Sequence, residues 1–201
     1  MKQYARRLLC ISAFVFATIF SFGQNKEGYD VTDVTKANFF DPGISFETRI
    51  GQSQTLYGEA FLSTAIFIGY SSSLGNISSV DIYPALTLQY RYYYNGNKRE
   101  SKGKRVEMNS MNYISIVTDA SFYKDNRYDL NKSRIMKTFG AAWGFQRNYS
   151  KRFSLDINVG IGYAFGKETI LNYPDNYTDI SYGEFTTLGQ ISLGFWLNKK
   201  K

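Results

Sequence analysis

The stretch FSLDINVGIGYAFG, Phe153 to Gly166, alternates without a break. Phe153, Leu155, Ile157, Val159, Ile161, Tyr163 and Phe165 share one face of an extended chain. Ser154, Asp156, Asn158, Gly160, Gly162, Ala164 and Gly166 share the other. A period of two is the signature of a β-strand with two unlike faces. Here one face is bulky and apolar, and the other is small and polar. The same division runs through Val80 to Tyr94, where Leu86, Leu88, Tyr90, Tyr92 and Tyr94 oppose Ala85, Thr87, Gln89, Arg91 and Tyr93. It returns in Ile135 to Arg147, and weaker versions cover Ile44 to Ile50, Leu56 to Tyr70, Asn112 to Tyr123 and Phe185 to Leu197. Seven strands are visible, and no stretch of useful length repeats apolar positions at three and four.

Side-chain size decides which face is outside. A soluble sheet usually fills its wet face with long polar side chains, whereas Gly, Ala, Ser, Asn and Asp dominate here. Small polar residues suit the interior of a barrel of about eight strands, which is just wide enough for side chains to fill. The apolar face then points outward, an arrangement stable in lipid. About 10 residues at about 3.3 Å each, tilted by about 40°, cross roughly 25 Å of hydrocarbon. A closed barrel is the β-structure that satisfies its own backbone in a bilayer. The expected fold is therefore an all-β antiparallel transmembrane β-barrel. Aromatic residues near strand ends, among them Tyr90, Tyr92, Tyr94, Tyr163, Phe165, Phe195 and Trp196, are expected in interfacial girdles. A soluble lipocalin-like ligand-binding barrel is the alternative architecture.

The beginning of the chain fits this reading. Lys2, Arg6 and Arg7 precede an uncharged run from Leu8 to Phe22, and Ser21-Phe22-Gly23 supplies small residues before Gln24. This pattern predicts a cleaved signal peptide over residues 1–23. The run of 15 residues is shorter than the roughly 18 expected of a spanning helix. Cys10 is preceded by Leu9 and followed by the apolar run, which is wrong for a lipidated N-terminus. Without Lys2, Arg6 and Arg7 the 24 basic residues become 21 against 17 acidic, so the net charge falls from +7 to +4. The only cysteine is lost as well. Residues 24–41 form an N-terminal segment with a possible extra strand, 42–198 the barrel, and 199–201 a basic tail.

With these features the chain resembles the small uncharacterised outer-membrane β-barrel proteins of Gram-negative bacteria. The residues that carry the likeness, beside the alternating strands, are Tyr90-Arg91-Tyr92-Tyr93-Tyr94-Asn95, Lys98-Arg99, Lys102-Gly103-Lys104 and Asn112-Tyr113. The resemblance implies about eight strands, outer-membrane lipid as surroundings and the barrel insertion machinery as a partner. It implies no activity. One departure concerns insertion: many such barrels end on an aromatic residue, whereas here Phe195, Trp196 and Leu197 are followed by Asn198 and three Lys. Bacterial barrels generally have an even number of strands. The eighth lies either in Tyr29 to Phe40 or in Lys167 to Tyr182. With a periplasmic C-terminus, the first choice puts the connector Asn95 to Ser110 in the periplasm, and the second puts it outside the cell.

Function is less legible. The 201 residues include no His and one Cys, which removes the usual zinc, haem and Cys-rich iron sites and any imidazole-dependent triad. Lipid A deacylases, phospholipases and proteases of the outer membrane use His, and the carboxylates Asp119 and Asp156 lack any sign of a substrate cleft. No catalysis, metal or cofactor is expected, nor is nucleic acid a partner for an exported chain. The charges on the polar face are Glu47, Arg49, Glu59, Asp81, Arg91, Asp119 and Asp156. In a narrow lumen they must be paired or hydrated. The expectation is a plugging network in which Arg49 and Arg91 meet Glu47, Glu59, Asp119 and Asp156; the alternative is a small cation-preferring pore. Lys98, Arg99, Lys102, Lys104 and Arg105 in the connector could bind lipopolysaccharide phosphates if exposed outside, or form a solvated loop. The sequons at Asn76, Asn131, Asn148 and Asn176 are incidental in a bacterial chain. The expected role is structural in the envelope, or in surface interaction.

Overall fold

The computed structural model describes residues 29–71, 75–125, 132–172 and 176–198, with the side chains of 65–79, 124–133 and 168–177 outside the description. The signal peptide expected at 1–23 and the tail at 199–201 lie outside the described residues. Eight antiparallel strands run in chain order: β1 Val34–Phe40, β2 Gly43–Gly51, β3 Gln54–Ser71, β4 Gly75–Tyr93, β5 Asn112–Asp125, β6 Lys132–Asn148, β7 Phe153–Asn172 and β8 Asn176–Trp196. Each pairs with its neighbour, and β1 pairs with β8, so the sheet closes into a barrel.

The missing strand is the N-terminal one. Lys36, Ala37 and Asn38 pair with Trp196, Phe195 and Gly194. Among its described residues the segment Lys167 to Tyr182 supplies no extra strand. It prolongs β7 and β8, whose pairing continues from Phe153 opposite Phe195 to Asn172 opposite Asn176. Even membership puts the start of β1 and the end of β8 at one mouth, together with the segment between β4 and β5. That segment is not an open connector: it contains helix α1, Gly96–Glu100, and a 3-10 turn at Glu107–Asn109. Met108 and Asn109 both adopt positive φ there, near 53° and 59°.

The alternation sorts as the spacing predicts. Ile161 is 71% exposed, Ile82 67%, Ile44 64% and Phe139 56%, all on the outer face. On the inner face Glu47, Arg91, Gln89, Gln146 and Asp156 are buried. The rule of small inner and large outer side chains holds for only part of the length. Tyr57, Tyr93, Tyr113 and Trp196 are buried inside, near the mouth that holds the chain ends. Trp196 therefore leaves the expected girdle, while Phe195 remains outward. Tyr163 and Phe165 do not end their strand either, because β7 continues to Asn172.

Glycine matters where strands crowd. A Cβ on Gly140 would lie 2.3 Å from the carbonyl oxygen of Ile161, and one on Gly160 would lie 2.1 Å from that of Ala141. These glycines on β6 and β7 permit the close approach of the two backbones, and Gly140 leaves room on the inner side for the Leu188 side chain.

Candidate functional site

The half of the lumen near the chain ends is filled by polar side chains that answer one another. β4 carries Arg91 inward at full burial. Its Nη1 donates to Oδ2 of Asp156 on β7 at 2.8 Å and to Oε1 of Gln146 on β6 at 3.0 Å. Its Nε donates to Oε1 of Gln89 at 2.9 Å. The guanidinium also lies over the rings of Tyr57, 3.6 Å from its centroid, and Tyr113, 4.3 Å from its centroid. Such cation–π contacts strengthen when water is excluded. Asp156 receives a second cation, Lys36 Nζ at 3.4 Å, and the Tyr113 hydroxyl at 2.7 Å. Lys36 Nζ further donates to Gln146 at 2.6 Å.

Two more carboxylates complete the filling. Glu47 accepts from the hydroxyls of Thr55 and Tyr93, each at 2.6 Å, and from Gln146 Nε2 at 3.2 Å. Glu59 accepts from Tyr57 at 2.7 Å, Asn38 at 2.5 Å and Gln190 at 2.8 Å. Hydrogen bonds to charged acceptors are stronger than neutral ones and offset part of the desolvation of a buried carboxylate. In this cluster two cations, Lys36 and Arg91, stand against three carboxylates, Glu47, Glu59 and Asp156. The tyrosine hydroxyls replace the cations that Glu47 and Glu59 lack.

Four of the seven charges expected in the lumen, Glu47, Glu59, Arg91 and Asp156, belong to this cluster. Arg49 does not. Its side chain is about half exposed at the mouth and ion-pairs with Asp30, while its backbone N–H donates to Asp33 at 2.7 Å. The strand rises out of the lumen at that point, so inward parity no longer implies an inner position. Asp81 is exposed toward the opposite mouth. Asp119 points inward above the cluster and accepts from the Thr87 hydroxyl, with neither arginine of the expected network as a partner. The missing cation is Lys36, hidden from sequence reasoning because its strand was unassigned. Tyr57, Tyr93 and Tyr113 share inward parity with Glu59, Arg91 and Asp119, and that parity was the available signal.

A strap seals the same mouth. The Tyr29 hydroxyl donates to the Tyr93 carbonyl and also meets Ser53 Oγ at 2.9 Å; burial pushes its pKa above the ordinary value. Val31 packs with Tyr93, Met111 and Tyr113. Asn109 exchanges two hydrogen bonds of 2.8 Å with the backbone of Thr32. Asn198 accepts from Thr35 N–H and donates to the Asp33 carbonyl, each at 2.9 Å, tying the end of the chain to its beginning.

Two of the five basic residues of the connector are engaged within it. Arg99 donates to the Arg105 carbonyl at 3.0 and 3.2 Å, and desolvation lowers its pKa; Arg105 ion-pairs with Glu107 at 2.8 Å. Lys98, Lys102 and Lys104 are exposed on and after α1. Among the described residues no group of acidic or cysteine side chains is arranged to hold a metal ion. Compared with protein-family models, curated proteins and solved structures, the chain matches none significantly.

Proposed function

We propose that this chain is an exported, noncatalytic β-barrel of the outer membrane of a Gram-negative bacterium, with a structural or surface-interaction role in the envelope. The observation that carries the reading is the inversion of an ordinary core: Ile161, Ile82 and Ile44 are exposed on the outer wall, while Arg91, Asp156, Glu47 and Glu59 are buried within. In water, an exposed apolar surface running around a whole barrel would far exceed the patch of about 300–600 Å² found on typical monomers. In a bilayer it is the stabilising surface. A lipocalin-like carrier would need an apolar lumen, and this one is charged. The polar filling and the strap favour a sealed barrel over a pore.

An even strand number brings both chain ends to one mouth, which this reading assigns to the periplasm. Lys98, Lys102 and Lys104 then face the periplasm, so lipopolysaccharide as their partner requires the opposite orientation. Cell fractionation tests the proposal. The protein should sediment with outer membranes and show a folded band that shifts on heating; recovery in the soluble periplasm without a heat-dependent shift refutes it.

A further inference from the structure

On the wall near the mouth that holds the chain ends, the outward side chains of β4, β5 and β6 form two rows. Tyr92, Ile114 and Trp143 stand side by side across the three strands. One step nearer the mouth come Tyr94, Asn112 and Phe145. The indole N–H of Trp143 donates to the Tyr94 hydroxyl at 2.7 Å, and its ring meets that of Phe145 edge-on, with centroids 6.1 Å apart. Aromatic residues with one polar end collect at the boundary between hydrocarbon and headgroups. Arg147, the last outward residue of β6, stands above them with its guanidinium carbon 5.0 Å from the Phe145 ring centroid.

Arg147 is held by neutral acceptors alone. Its Nη1 donates to the carbonyls of Met111 and Gln146, at 2.9 and 2.7 Å, and its Nη2 to Asn112 Oδ1 at 2.7 Å. The Asn112 N–H donates in turn to Asn95 Oδ1 at 2.9 Å, and the Asn95 carbonyl accepts from the Arg99 N–H, one helical turn on, at 3.0 Å. This chain of contacts sets Arg99 beside Arg147, near enough for the two positive charges to repel. Arg99 directs Nε and Nη2 at a single carbonyl, that of Arg105, and among the described residues neither guanidinium has a carboxylate partner. Arg147 Nε and Arg99 Nη1 meet no acceptor, and neither atom is buried. The Tyr94 hydroxyl, which accepts from Trp143, keeps its own hydrogen to donate.

Two adjoining guanidiniums without a counter-ion call for an anion, and the fork of Arg matches phosphate oxygens two at a time. A soluble phosphate would need the two arginines alone, whereas the apolar row directly below them suits a phosphate that carries chains. We propose that Arg99 and Arg147 bind the phosphate of an anionic glycerophospholipid of the leaflet at this mouth, whose acyl chains descend over Tyr92, Ile114 and Trp143. A phosphodiester with an uncharged head offers one negative charge to the pair. A zwitterionic lipid adds a cationic amine, which the second guanidinium repels, so the site selects headgroups without a cation. This rests on the membrane-spanning reading; in the orientation assigned above, the lipid belongs to the periplasmic leaflet.

Trp143 reports on the site, since the chain has two Trp and Trp196 is buried inside the barrel. The mature chain is inserted into vesicles of dioleoylphosphatidylcholine with increasing fractions of phosphatidylglycerol whose acyl chains carry bromine, a quencher of adjoining indoles. The reciprocal series uses brominated phosphatidylcholine in phosphatidylglycerol. Expected is a preference for phosphatidylglycerol at Trp143 of about fivefold or more. Arg147→Lys, which keeps the charge and loses the fork, and Arg99→Gln should each lower it to about twofold or less. Lys151→Gln, exposed at the same mouth, should leave it unchanged. The heat-dependent band shift verifies folding first; should Arg147→Lys fail to fold, Arg99→Gln, whose side chain holds only the Arg105 carbonyl, decides. Equal quenching by the two lipids overturns the proposal, as does an equal loss with Lys151→Gln, which would make the preference a diffuse field. Loss of the preference in millimolar glycerol phosphate would make a soluble phosphate the ligand and overturn it too. No quenching by either lipid defeats the membrane reading, and the proposal falls with it.

Discussion

Replacing Arg91 by Met removes one cation from a closed cluster and leaves its partners in place. Asp156 loses its 2.8 Å ion pair and retains Lys36 at 3.4 Å and the Tyr113 hydroxyl. The cluster's charge moves from one net negative to two, and the space between the Tyr57 and Tyr113 rings receives a thioether in place of a guanidinium. Breaking one side of a buried ion pair typically costs about 3–5 kcal/mol, since an uncompensated charge stays behind. Taking about 4 kcal/mol and a urea slope of about 2 kcal/mol per molar, the unfolding midpoint in vesicles should fall by about 2 M. Asp156→Leu alone should cost a similar amount. The double variant, which removes both charges, should cost less than the sum of the two by about 2 kcal/mol or more. Trp196, buried at that mouth, provides a fluorescence signal alongside the gel shift. Single variants costing under about 1 kcal/mol, or a double variant equal to the sum, would refute the coupled network.

Three other outcomes follow from the same geometry. Ile161→Arg, at a position 71% exposed, should destabilise the bilayer-inserted barrel by about 2–4 kcal/mol in a urea titration; in a water-soluble barrel the change would stay within about 0.5 kcal/mol. Gly96→Ala should dislodge the strap, because a Cβ there would lie within 2.0 to 2.2 Å of the Tyr29 ring. Limited proteolysis should then cut near residues 29–33 while the barrel's midpoint changes little; continued protection would mean that Tyr29 is not what holds the strap. In planar bilayers the wild-type protein and the Gly96→Ala variant should both be silent, since the Arg91 cluster lies behind the strap, and steady conductance in either would show a path through it.

The sequence made the faces legible because a period of two is a local property: each strand shows it without reference to any other. Strand ends were less legible. The continuation of β7 past Gly166, Lys167-Glu168-Thr169-Ile170-Leu171-Asn172, breaks the alternation, yet the backbone ladder persists to Asn172 because β8 lies alongside. β1 was nearly invisible, since Val34–Phe40 is short and its inward Lys36 acquires a meaning only once Asp156 and Gln146 stand opposite. For the site, parity alone identified Glu47, Glu59, Arg91 and Asp156. It failed for Arg49 and Asp81 because inward orientation and depth in the lumen are separate coordinates, and the second depends on how far the neighbouring strands reach. The inward parity of Tyr57, Tyr93 and Tyr113 is a local signal, but their hydroxyl partners are not all local: Tyr57 donates to Glu59 two residues along its own strand, whereas Glu47 and Asp156, which Tyr93 and Tyr113 meet, come from distant parts of the chain.

The short β1 also bears on how the ring is assembled. Its seam with β8 runs only from Lys36 to Phe40 and joins residues at opposite ends of the folded chain. Every other junction links consecutive strands through a shorter loop, whose closure costs less entropy. The β7–β8 hairpin, paired from Phe153 to Asn172, can zip locally. Closure of the seam is therefore the natural final event, and its reversal the easiest way to unroll the ring into a curved sheet. Leu197 N–H to the Thr35 carbonyl and the two hydrogen bonds of Asn198 act as a latch beside that seam. A chain shortened before Asn198 would still possess every strand, and would hold its circle with less security.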